Sequence, residues 1–127
     1  MKRYLFLLAI PVFLVSCEHE NKGDITFPTV TIYTPAERQH FVTGDTIRIT
    51  GLCRDNEELD EVPVHITDED THQEFFHNHY GLIHSNTFTV DTYYVVTTTA
   101  HTKYSIVVEA VDMSGHTVEK EVEVDIN

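Results

Sequence analysis

An all-β sandwich of about seven antiparallel strands is the fold this sequence predicts, on three observations. From residue 28 onward, apolar and polar residues alternate with the period of two that half-buried strands show. Threonine, valine and isoleucine dominate every periodic stretch, as strands prefer. No segment combines helical spacing with helix caps.

The elements follow in order. In Pro28 to Pro35, Val30 and Ile32 point one way and Thr29, Thr31 and Tyr33 the other, with prolines ending the strand. Gly44-Asp45 is a turn. Thr46 to Cys53 alternates again, with Ile47 and Ile49 on one face. Asp55 to Glu61 reads as an acidic, solvated loop; a calcium-binding reading fails because Leu59 stands where a ligand should and no glycine follows. Val62, Val64 and Ile66 share a face, and Asp68-Glu69-Asp70 turns the chain. Gln73 to Tyr80 and Leu82 to Val90 read as a hairpin about Gly81. Lys103 to Asp112 is the clearest inner strand, through Tyr104, Ile106, Val108 and Ala110. Met113-Ser114-Gly115 turns the chain into Val118 to Ile126, where Val122, Val124 and Ile126 alternate with Glu121, Glu123 and Asp125. This strand count over roughly 100 residues is the pattern of an immunoglobulin-like sandwich, and Tyr104 stands where such folds place a tyrosine corner. No internal repeat appears, so residues 28–127 read as one such module.

Composition bounds the function. The chain has 127 residues, the length of a single domain. It carries 21 acidic residues against 8 Lys and Arg, a net charge of -13, which argues against nucleic acid and anionic headgroups as partners. Cys53 is expected to serve as a small core hydrophobe.

The N-terminus reads as an address. Lys2 and Arg3 precede an apolar run from Tyr4 to Val15, too short to span a bilayer and suited to a signal peptide over residues 1–16. Leu14-Val15-Ser16-Cys17 resembles the lipobox of bacterial lipoproteins. That resemblance implies cleavage before Cys17, acylation of Cys17, and attachment to the membrane through the lipid. With Lys2 and Arg3 removed, six basic residues face 21 acidic ones, a charge of −15. Residues 17–27 are expected to be a flexible tether. Their start, Glu18-His19-Glu20, resembles the acidic export signals of Bacteroidetes surface lipoproteins. The expected location is the outer membrane, at the cell surface or on the periplasmic face.

Several stretches together resemble the family catalogued as domain of unknown function 4625. They are the lipobox, Pro28-Thr29-Val30-Thr31-Ile32, Thr43-Gly44-Asp45-Thr46-Ile47, the acidic stretch ending at Leu59, the His-rich centre, and Tyr104 through Val111-Asp112-Met113-Ser114-Gly115. The resemblance covers about residues 28–127 and implies a small immunoglobulin-like lipoprotein. It assigns no activity.

The histidines carry the only chemistry the sequence singles out. Seven of nine lie between residues 65 and 116. Neutral imidazole is a ligand for zinc and copper. His77 and His79, two apart, share a face of a strand. A two-residue turn at Tyr80-Gly81 would set His77 opposite His84 and His79 opposite Leu82, so that His77, His79 and His84 line one face. His72 and Glu74 could then supply a fourth ligand. His65, on the face opposite Val64 and Ile66, is expected to be exposed and outside this group.

No nucleophile elbow, phosphate loop or dinucleotide fingerprint is present, and no catalytic activity is expected. Two functions remain. One is a lipid-anchored binding or adhesion module for a protein or glycan ligand, with Phe75, Phe76, Tyr80, Tyr93 and Tyr94 as aromatic surface. The other is a lipoprotein that binds zinc or copper at the His-rich hairpin.

Overall fold

Six strands account for nearly all of the regular structure in the computed structural model, which describes residues 23–127. They are β1 (Thr29–Thr34), β2 (His40–Phe41), β3 (Thr46–Asp68), β4 (Gln73–Val95), β5 (Thr102–Asp112) and β6 (Thr117–Ile126). The chain is all-β, with a sandwich-like curl. The signal segment, Cys17 and the first part of the expected tether lie outside the described residues.

Strands β3 and β4, of 23 residues each, organise the molecule. They form one long antiparallel hairpin that bends near its middle. On one side of the bend, residues 46–54 of β3 pair with β1 and with residues 87–95 of β4. On the other side, residues 61–68 of β3 pair with residues 73–81 of β4 and with β5. β6 continues this second layer beyond β5, and β2 adds a short parallel contact to β6. Strands that pass from one layer to another through a bend are how sandwich corners are made. Register shifts between Arg54 and Leu59, and between Leu59 and Glu61, supply the bend in β3. In β4 the bend coincides with Leu82 and His84, both held at positive φ.

This architecture corrects two expectations. Asp55 to Glu61 is not a free loop but the bent middle of β3, with Leu59 fully buried. Tyr80-Gly81 is not a turn: β4 runs straight through it, and the hairpin turns at residues 69–72 instead. Two long strands thus replace four short ones. The remaining strands fall where alternation put them, and β2 is added.

The core comes from both layers. Ile47, Ile49, Cys53 and Val90 come from one side, and Val62, Val64, Ile66, Ile106, Val108, Ala110, Val124 and Ile126 from the other. Cys53 is fully buried, and burial pushes its thiol up to about 11, so it packs as a hydrophobe rather than reacting. Tyr104 is buried against Phe75 and Tyr94, with ring centroids 4.6 and 6.2 Å away. Burial, with Tyr94 and Asp68 adding to it, pushes its hydroxyl up to about 12.

Gly51 marks the closest approach of β1 to β3. A Cβ there would stand 2.6 Å from the backbone oxygen of Thr31, which can give way only if the strand itself shifts. Gly51→Ala is expected to cost about 1–3 kcal/mol in urea denaturation, the range for overpacking a filled site. An unchanged unfolding midpoint would contradict the tight β1–β3 contact.

Candidate metal centre

The outer face of the β3–β4 hairpin near its tip collects imidazoles and carboxylates. Because Val62, Val64 and Ile66 point into the core, Glu61 and His65 point outward. The register sets His65 opposite His77 and Pro63 opposite His79, so both β4 histidines share that outer face with His65.

Glu74 joins them through a bulge. Ile66 pairs with Phe76 but Thr67 pairs with Glu74, so Phe75 is the extra residue on β4. Strict alternation would put Glu74 on the same face as Phe76. The bulge reverses the parity, turns Phe75 inward onto Tyr94 and Tyr104, and delivers Glu74 to the side of His77.

Glu74 stands between two histidines. Its Oε2 is 3.1 Å from His65 Nδ1, and its Oε1 is 3.3 Å from His77 Nδ1. The His65 and His77 rings meet edge to face at 4.4 Å. Ligand atoms of all three residues lie within 4.8 Å of one another. In a tetrahedral zinc site with bonds of 2.0–2.1 Å, neighbouring ligands are about 3.4 Å apart. The observed 3.1 and 3.3 Å run to different oxygens of Glu74, which thus bridges the two imidazoles; closing on one ion would draw the three ligand atoms in from the 4.8 Å within which they now lie. His65 is the most sheltered of the three, its side chain 23% exposed, while Glu74 and His77 are about half exposed.

The other expected ligands are placed apart from this trio. His79 stacks beside His77, with centroids 6.1 Å apart, but its Nε2 faces Glu61 at 3.4 Å. His84 lies at the bend, its Nδ1 3.5 Å from Glu58 Oε2, and does not face His77. His72 occupies the hairpin turn at positive φ, and its amide donates to the Asp68 carbonyl oxygen. Of the residues singled out by spacing, the structure therefore brings together His77 and Glu74, with His79 alongside. It adds His65. One signal in the sequence could have found the outward face of His65, the parity of Val62, Val64 and Ile66; its pairing with His77 depends on the bulge at Phe75, which no sequence period shows.

The turn that fixes this register is closed by Asp68, whose Oδ1 accepts the Asp70 and Thr71 amides, each at 2.9 Å. Burial alone would raise the Asp68 carboxyl, but the hydrogen bonds from Thr71 and Asp70 outweigh it and hold the group below its ordinary 3.8. At the other end of the hairpin, hydrogen bonds from Arg48 hold Asp91 below the same value. Both carboxyls are more acidic folded than unfolded. Their stabilising contribution is complete above pH 3.8 and is lost as pH falls through the lower folded values. Melting temperature measured against pH should therefore fall more steeply below about pH 4 in the parent than in Asp68→Asn. Parallel curves would contradict the role given to Asp68.

Among the described residues no helix is long and apolar enough to cross a membrane. A family model described as "Domain of unknown function (DUF4625)" matches residues 15–127. No curated protein matches the chain.

Proposed function

The chain belongs to the DUF4625 family, and from that premise we propose that it is a lipid-anchored binding module of the outer membrane whose ligand is a divalent transition metal. Zinc and copper suit the donor set of His65, Glu74 and His77, because both accept imidazole and carboxylate. The observation that carries this reading is the placement of Glu74 between two imidazoles across paired strands, with one ligand atom from each residue within 4.8 Å of the others. Two neutral nitrogens and one carboxylate leave a fourth position open, which suits capture and release better than a closed structural site.

The anchor in this proposal is the acyl chain on Cys17, supported by the lipobox-like Leu14-Val15-Ser16-Cys17. The acidic start of the mature chain favours display at the cell surface. An excess of negative charge raises the local concentration of cations around the module. Nothing in this role requires catalysis.

A second reading rests on a different observation. Among the described residues β4 pairs with β3 alone, so its other edge offers backbone donors and acceptors to a partner strand or a glycan. On that reading metal leaves the protein's stability unchanged.

Competition of the full chain in detergent against a chromophoric chelator, with zinc and copper offered in turn, separates the two. The metal reading expects His65→Ala/His77→Ala to bind one equivalent fewer than the parent. Equal binding by the two proteins would overturn it.

A further inference from the structure

We propose a second divalent-cation site, built from Asp24, Asp112 and His116, that clasps the segment before β1 to the turn between β5 and β6. It shares no residue with the hairpin site. One ligand atom from each of the three residues lies within 4.8 Å of the others.

Each residue is held for the task. Asp112 ends β5 with its side chain only 1% exposed. Its Oδ1 accepts the Ser114 and His116 amides, both at 2.8 Å, which shapes the turn. Its Oδ2 is left to the His116 imidazole, 2.7 Å from Nδ1. Phe27 covers that imidazole, with ring centroids 4.5 Å apart. Asp24 arrives from the segment expected to be tether. Its Oδ1 accepts the Thr26 amide at 2.9 Å and the Asn56 side-chain amide at 3.2 Å.

The other oxygen of Asp24 points to the ligand. Oδ2 is sealed from solvent and has no hydrogen-bond partner. A carboxylate oxygen withdrawn from water without a partner is costly, and such groups are normally satisfied. The Thr26 amide, with Asn56 and the nearby His116, holds the Asp24 carboxyl below its ordinary value, so the group stands ready as an anionic ligand. A bound cation gives Oδ2 the partner it lacks.

The donor set selects the cation. Two carboxylates and one imidazole suit zinc or manganese. Calcium takes six to eight oxygens and gains little from a nitrogen ligand. The consequence is mechanical: a metal bound here joins Asp24 to Asp112 and His116, so the last residues of the expected tether become part of the domain.

The test uses the full chain in detergent, carrying His65→Ala/His77→Ala so that the hairpin site does not contribute. Zinc, manganese and calcium are titrated in turn by chelator competition. The proposal expects one zinc or manganese equivalent. It expects Asp24→Asn and His116→Ala each to weaken that binding by about 100-fold, the scale of losing a ligand or its close support. Asp112 is left intact because it also shapes the turn. Melting in chelator checks that each variant is folded. Should His116→Ala be unfolded, Asp24→Asn, at a residue outside every strand, decides alone. Binding of zinc at parental strength by Asp24→Asn would overturn the proposal. So would the absence of any bound equivalent in the starting protein, or a preference for calcium over zinc and manganese.

Discussion

Leu59→Ala is expected to destabilise the protein by about 2–5 kcal/mol, the largest loss any single side-chain truncation should give here. Leu59 is fully buried, although it sits among Glu57, Glu58, Asp60 and Glu61 in the most acidic stretch of the chain. It lies between the two register shifts of β3, where that strand pairs with Ser85 on one side and Asp112 on the other. It is therefore the core side chain at the point where β3 passes between layers. Leu59 is itself paired on both sides, Glu61 pairs with Gly81 and Val111, and the Glu58 carbonyl oxygen accepts the Met113 amide, which limits collapse of the backbone into the space that truncation leaves. For a domain of this size each kcal/mol corresponds to a shift of roughly 4–8 °C in melting temperature. Urea denaturation checks it: the midpoint should fall with little change in slope. A loss below about 1 kcal/mol would mean that the bend is not packed as described.

The second large effect belongs to the metal. At free zinc about 100 times the dissociation constant, occupation of the hairpin site should stabilise the folded chain by about 2.7 kcal/mol. On the proposed site that increment follows from His65, Glu74 and His77, whose ligand atoms the folded hairpin brings within 4.8 Å of one another. His65→Ala/His77→Ala should lose that increment in thermal unfolding. His84→Ala should keep it, because His84 faces Glu58 and not the trio. Acidification should reverse the stabilisation in the parent, since imidazole must be neutral to bind.

Much of the fold was legible in the sequence, and the reasons are local. Strands β1 and β5 and the second half of β6 keep their alternation between turn residues, so parity alone identifies their inner faces. Cys53 and the core-facing series of β3 were readable for the same reason. Three features were hidden. Gly81 looked like a turn because glycine breaks strand patterns and strands usually run 3–10 residues. In β4 it is simply strand, and the bend lies just beyond it at Leu82 and His84. The bend in β3 was masked by charge, since four acidic residues around Leu59 read as solvated loop whether or not the leucine is buried. β2 has two residues, too few for any period to show.

The site was half legible. His77 and Glu74 were found by proximity in sequence, but the partner assigned to them, His84, followed from the turn at Tyr80-Gly81. Moving the turn to residues 69–72 sets Asp68 opposite Gln73, which alone would bring His65 opposite Phe76; the extra residue Phe75 shifts the register by one and brings His65 opposite His77. Glu74 reaches the site only through the bulge at Phe75. A period-two reading has no means of locating a bulge, because the inserted residue changes the face of everything beyond it.

Whether His65, Glu74 and His77 form one metal site is decided by zinc titration of the parent and of His65→Ala/His77→Ala under identical chelator competition. The double variant should bind one equivalent fewer, and His84→Ala should match the parent. Parental stoichiometry and affinity in the double variant would contradict it.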